Sequence, residues 1–344
     1  MTTWNRLDGL RACAVAFSLC WALGAVAAVA PGLADSLSVY YDFEHPAFGN
    51  AGLEVDQGAS GTTLMLVNGG AAMRTADGAW IGSATSIQTQ QLSATASNDD
   101  WKAGVYDRPG VATLNAFNAT TGATVMGFVK PTGTNPNLNT GTANPTDIYN
   151  AVGLMGLLSG NSNGHDVRAL LEVIDVSGTL RLVALGRRVD GAASLTFAAS
   201  ADWHDILPMN EWTHIAATFD FDNGTMALYR NGVALAGSYT STADAWGVIG
   251  GAEPDLTSAT DPSGIKIGGS YPQNTQEFNA FNGRFDELMF FNRSLNAAEV
   301  AAQYQVFAPI PEPETWALLL VGLGVLGRAA RRQAPAVASI RQYR

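Results

Sequence analysis

The chain has almost no cysteine: among 344 residues only Cys13 and Cys20 occur, both within the first 34. The remainder therefore has no disulfide, no thiolate nucleophile and no cysteine metal site, and packing or a bound ion must hold it together. Charge is sparse too, at 14% of residues, and one-sided. Residues 35–311 carry 12 Lys and Arg against 27 Asp and Glu, a balance of −15. A body this acidic argues against a phosphate-tracking groove and so against nucleic acid, whereas Ca²⁺ and neutral glycans stay compatible. Helical patterning is scarce and no internal repeat of 20 to 50 residues is evident, yet 47% apolar residues are ample for a full core.

What is present is alternation. In residues 211–232, EWTHIAATFDFDNGTMALYRNG, Ile215, Ala217, Phe219 and Phe221 fall on one face of a period-2 pattern, opposite Trp212, His214, Thr218 and Asp220. Asp222, Asn223 and Gly224 supply a turn, and Asn231-Gly232 a second tight hairpin, so the stretch predicts an antiparallel meander. Further strands are expected over 37–43, 63–67, 111–117, 124–130, 151–158, 167–176, 179–185, 265–267 and 283–293, with 84–101 and 132–147 as polar loops. One helix follows, with Asn296 as cap and Glu299 completing a capping box. Many short strands and almost no helix predict an all-β, two-sheet antiparallel sandwich.

The two ends read differently. Arg6 and Arg11 precede an apolar run over 12–30, with small-residue sites at Ala25-Val26-Ala27 and Gly32-Leu33-Ala34, the pattern of a secretory signal peptide over 1–34 with cleavage expected after Ala34. At the other end Pro311-Glu312-Pro313 leads a short apolar helix over 316–327 and then Arg328, Arg331 and Arg332. This tripartite tail over 309–333, followed by the extension 334–344, resembles the PEP-CTERM sorting signal of Gram-negative bacteria. The resemblance implies export to the cell surface or extracellular matrix, a transient anchor in the inner membrane with Arg inside, and processing near Pro311-Glu312-Pro313 by an exosortase, a membrane transpeptidase.

The body over 35–308 resembles the laminin-G-like jelly roll of the concanavalin A-like lectin and glucanase superfamily, through YYDFE at 40–44, EWTHIAATFD with MALYRNG, and IKIGG with FNGRFDELMFFNRSLNAAEV. That family implies two stacked sheets, rim loops that often bind glycans, neighbouring first and last strands, and commonly a Ca²⁺ site. Asp42 and Asp286 are the expected ligands, with Glu44 as a further one. In a regular strand Asp286 shares its face with Leu288 and Phe290, where a carboxylate needs a cation or hydrogen-bond donors. A Ca²⁺ ion needs six to eight oxygens. Backbone N–H donors alone are the alternative for Asp286.

Other candidates are weaker. Asp220, Asp222, Asn223 and Gly224 read as turn chemistry before metal site. GNSNG at 160–164 fits a nucleophile elbow around Ser162 only if a helix follows, and 167–176 reads as strand. Glu172 and Asp175 face opposite sides of a strand and so cannot flank one glycosidic bond; Asp202 and Asp205 near His204 read as loop acids. His45, His165, His204 and His214 show no metal-ligand spacing. Trp80, Trp101, Trp203 and Trp246 fall in expected loops, and Trp203 with Trp246 are the pair chosen as sugar platforms, core anchoring being the alternative for each. The sequence thus predicts an exported, non-catalytic module that binds extracellular polysaccharide or another matrix component, with structural Ca²⁺. Its rivals are a glycoside hydrolase or lyase of the same fold and a structural matrix protein.

Overall fold

In the computed structural model of the protein the described residues are 28–66, 73–89, 103–105, 121–133, 152–158, 167–186, 195–240, 264–268 and 281–308. The chain divides into two units, Met1–Phe307 and Ala308–Arg344. Trp101, Trp246, His165, Ser162 and the whole sorting tail lie outside the described residues, as do the expected strand at 111–117 and most of the signal peptide. Among the described residues no helix is long and apolar enough to cross a membrane.

Two antiparallel sheets make the sandwich. The first runs Val233–Ala234, Thr225–Arg230, Thr213–Asp220, Gly122–Pro131, Gly283–Phe291, Ser86–Thr89, Arg74–Thr75, with Leu37–Tyr41 also on Gly283–Phe291. The second runs Gly237–Tyr239, Leu195–Ala199, Thr179–Gly186, Val167–Val176, Val152–Leu158, Gly264–Ile267, Ala103–Val105, Leu64–Leu66, Leu53–Glu54. The alternation behind the expected meander is realised: Ile215, Ala217 and Phe219 join Val125, Val129, Leu171, Val173, Leu182 and Phe290 in one core between the sheets. Asp220 closes the turn by accepting from the Asn223 N–H and side-chain amide, at 2.9 and 2.7 Å. One expectation fails. Within the loop predicted over 84–101, Ser86–Thr89 is a strand, because Ile87 enters the core and Thr89 donates to the Phe281 carbonyl at 2.7 Å.

A second apolar cluster covers the outer face of the first sheet. The helix Ala297–Phe307 starts from the expected capping box, Asn296 and Glu299 each accepting the other's N–H at 3.0 and 2.8 Å, and lays Val300 and Phe307 against Met126, Phe128, Met289 and Phe291. Ala30 and Leu33 are buried in the same cluster.

His214 lies beneath this helix, 5.1 Å from the Phe128 ring and 5.5 Å from Tyr304, fully buried, with neither ring nitrogen hydrogen-bonded. Burial pushes its pKa down to about 3. Replacing His214 by Phe removes the orphaned nitrogens and is expected to add about 1–3 kcal/mol to the unfolding free energy. The folded parent resists protonation that the unfolded chain accepts below pH ~6.5. The parent therefore loses stability as pH falls from there toward 3, and the variant's advantage must be larger in urea titrations at pH 5 than at pH 7.5.

Candidate functional site

The site begins where the closing strand, Gly283–Phe291, changes partner. Ser86–Thr89 pairs with its first residues, Phe285 opposite Ile87, and Leu37–Tyr41 pairs with its last, Leu288 opposite Tyr41. Asp286 and Glu287 fall in the interval between these two strands. On the other flank the register with Gly122–Pro131 slips between Asp286 and Met289, and Glu287 takes the left-handed φ of 54°. Gly127 makes this bulge fit: a Cβ there would lie 2.4 Å from Leu288 Cδ2 and 3.2 Å from the Asp286 carbonyl oxygen. The extra residue resets the alternation, so that Phe285, Leu288 and Phe290 face the inter-sheet core while Met289 and Phe291 face outward. The expected placement of Asp286 beside Leu288 and Phe290 is thereby corrected: the bulge puts both carboxylates on the opposite face.

There they are buried and answered by donors. Asp286 accepts from the Ala79 N–H at 2.8 Å, the Ser83 hydroxyl at 2.7 Å and the Glu287 N–H at 2.9 Å. Glu287 accepts from the Tyr40 hydroxyl and from the Trp80 indole N–H at 2.5 Å. Desolvation, then the neighbouring Glu287 charge, raises Asp286 well above the usual carboxylate range, and burial lifts Glu287 to about 7 against the pull of its two donors. Trp80, one of the four loop tryptophans, is thus an anchor, its ring edge-on to Phe307 at 5.4 Å.

Glu44 continues the chain of contacts. It accepts the N–H groups of Ala84 and Thr85 at 2.7 and 2.6 Å, and the Ser83 hydroxyl lies 3.3 Å from it, so Ser83 bridges Glu44 and Asp286. Asp42, the other expected partner of Asp286, belongs instead with His45 and Glu54, whose ligand-type atoms all lie within 4.8 Å of one another. Asp42 holds the His45 imidazole at 2.9 Å, which raises the His45 pKa. Glu54 is fully buried, accepts the His45 N–H at 2.9 Å and pairs with Arg74 at 2.6 Å; burial still lifts it to about 7. Arg74 also donates to the carbonyls of Phe43, Ala51 and Leu53, clasping the loop that carries Pro46 to Asn50. On that loop Phe48 has φ 55° and is 96% exposed, and Ile81, on the turn next to Ser83, is 96% exposed as well.

Sequence reasoning missed His45, Glu54, Arg74 and Phe48. One signal was available, since Arg74 is the only Lys or Arg between Arg11 and Lys102, and a lone cation among carboxylates is seldom idle. Trp203 is a further correction. Asp202 caps a one-turn helix, Trp203–Ile206, by accepting the His204 N–H at 2.9 Å, and this turns the Trp203 ring into the inter-sheet core, where it is 1% exposed and offers no face to a sugar.

Residues 111–301 match the family described as the concanavalin A-like lectin/glucanases superfamily, and 309–333 match the PEP-CTERM protein-sorting motif. The latter marks the chain for export and for C-terminal sorting by an exosortase, as in Gram-negative bacteria. No curated protein matches the chain in sequence. Similar solved structures include the binding domain of botulinum neurotoxin DC in complex with SialylT, at 11% identity and TM-score 0.48, covering 80% of this chain and 52% of that one. The serotype G binding domain follows at 16% and 0.43, covering 78% and 51%, and a SAP-like pentraxin from Limulus polyphemus at 15% and 0.33, covering 53% and 69%. The chain spans about half the length of the neurotoxin domains. The family match takes in more than half of the sequence and agrees with the paired antiparallel sheets, and the chain belongs to the concanavalin A-like lectin/glucanase superfamily.

Proposed function

We propose that the chain is a non-catalytic module, acting after export, that binds an extracellular polysaccharide or another matrix glycan through the rim formed by residues 43–54 and 77–85, with a structural Ca²⁺ at the same rim. The carrying observation is Phe48. A bulky aromatic held at left-handed φ costs backbone energy that glycine would avoid, and a ring left 96% exposed gains nothing from the core. Such a ring, on the same loop as the exposed His45 that Asp42 holds, suits stacking on the apolar face of a sugar while polar groups meet its hydroxyls. Phe48→Ala is expected to weaken binding to a responsive polysaccharide at least about tenfold, while stability stays within about 0.5 kcal/mol of the parent. Unchanged binding would remove Phe48 from the reading. Release of shortened sugars would favour the hydrolase instead, and silence across a polysaccharide panel the structural matrix protein.

Glu172 supports the non-catalytic part of the reading because its carboxylate is closed to substrate. It sits in the second sheet, 3% exposed, with Oε1 unpartnered, and burial alone lifts it to about 8. Glycoside hydrolysis commonly needs two carboxylates flanking one bond.

For Ca²⁺ the oxygens of Asp42 and Glu44 are the fitting donors; imidazole is a poor ligand for so hard a cation, Asp286 is already occupied by three donors, and Glu54 has its two oxygens on the His45 N–H and the Arg74 guanidinium. Asp286 would act by fixing Ser83 between itself and Glu44, and the ion would offset the charge gathered there. With free Ca²⁺ a hundredfold above its dissociation constant the unfolding free energy should rise by about 2.7 kcal/mol. The rise should vanish with chelator and in Asp42→Asn. A melting temperature indifferent to Ca²⁺ in the parent rules out the ion and leaves the glycan reading to its own assay.

A further inference from the structure

Gln303, on the inner side of the helix Ala297–Phe307, is fully buried, and both ends of its side-chain amide are used on residues far away in sequence. Its Oε1 accepts the Ala30 N–H at 2.9 Å and its Nε2 donates to the Ala28 carbonyl at 2.7 Å. The backbone of 28–30 is held as a neighbouring strand would hold it, by one acceptor and one donor from a single side chain. The next residues are bound as firmly. Ala30 and Leu33 are 2% and 3% exposed in the outer cluster with Val300 and Phe307, and Ala28 and Val29 pack against its edge. The Leu33 N–H reaches the Ala30 carbonyl at 3.1 Å, and the Leu33 carbonyl accepts both the N–H and the hydroxyl of Ser36, leading directly into the strand Leu37–Tyr41.

Cleavage after Ala34 would strip all of this away. It would open Val300 and Phe307 to water and leave a buried amide with neither partner. Cleavage after Ala30 would put Pro31 at the new terminus and still cut both Gln303 contacts. The sequence has one small-residue site that ends just before the packed segment, Ala25-Val26-Ala27.

We propose that the signal peptidase cuts between Ala27 and Ala28, so that the exported chain keeps residues 28–34 as a structural part of the domain, clasped by Gln303. The leader then ends where the fold begins.

The test is to express the full chain with its own leader in a Gram-negative host, recover the exported form, and read its first residues by terminal sequencing and intact mass. A chain beginning at Ala28 is the expected result. A start at Pro31 or Asp35, or an uncut Met1, overturns the proposal. A second measurement does not depend on processing at the other end. In the exported protein Gln303→Leu should lower the melting temperature by about 2–4 °C, because it strands the Ala30 N–H and the Ala28 carbonyl. If residues 28–34 are gone, position 303 faces solvent, the substitution is neutral, and the assignment fails.

Discussion

At pH 8 an Arg74→Met variant is expected to lose about 3–5 kcal/mol of unfolding free energy relative to the parent. Methionine keeps the stem and removes the guanidinium, so three loop carbonyls lose a donor and the buried Glu54 carboxylate loses its only cationic partner among the described residues. The loss should shrink at pH 6. Burial already holds Glu54 near 7 with Arg74 present, and without it the group takes a proton more readily and sheds the buried charge. Folded Glu54 binding its proton above the unfolded value means stability that is full below the unfolded pKa and lost as pH rises through 7. Urea titrations at the two pH values decide the point. An equal deficit at both would mean that the lost loop hydrogen bonds, and not the stranded charge, account for the effect. Because Arg74 also fixes the loop bearing Phe48, glycan binding should fall with it even where the domain stays folded.

Trp203→Ala is expected to cost a similar amount, about 3–5 kcal/mol, through the cavity left in the inter-sheet core. Its indole N–H is buried without a partner, so Trp203→Phe, which keeps most of the volume and removes that orphan, should cost much less. The comparison also separates the two readings of this tryptophan. If Trp203→Ala leaves thermal unfolding unchanged and abolishes sugar binding, the ring is a platform after all; loss of stability with binding intact in the Phe variant fits its place in the core.

Much of the fold was legible. Strong alternation survives without knowledge of partners, so the strands through Thr213–Asp220, Val167–Val176 and Gly283–Phe291 appear where the pattern puts them. The site was less so, for identifiable reasons. A single residue of bulge inverts every face after it, and nothing in FDELMFF announces that Glu287 will adopt positive φ. The relevant hint, Gly127, lies on another strand and gains meaning only through cross-strand register. Trp203 was readable in principle, because Asp202 two residues before His204 is an N-cap pattern, yet a one-turn helix is too short to show periodicity. The grouping of Asp42, His45 and Glu54 depends on a loop closed by Arg74 from a distant strand, which spacing cannot convey.

The closing strand has a temporal consequence. It pairs Leu37 with Phe291 and stands between Gly122–Pro131 on one side and Ser86–Thr89 and Leu37–Tyr41 on the other, so the described strands of the first sheet are three disconnected pieces until that segment is available. The chain leaves the export channel amino end first, and nearly the whole of it must emerge before the sandwich can close. Such non-local pairing folds slowly. For that interval the aromatic edge at Leu37–Tyr41 waits outside the membrane without its partner.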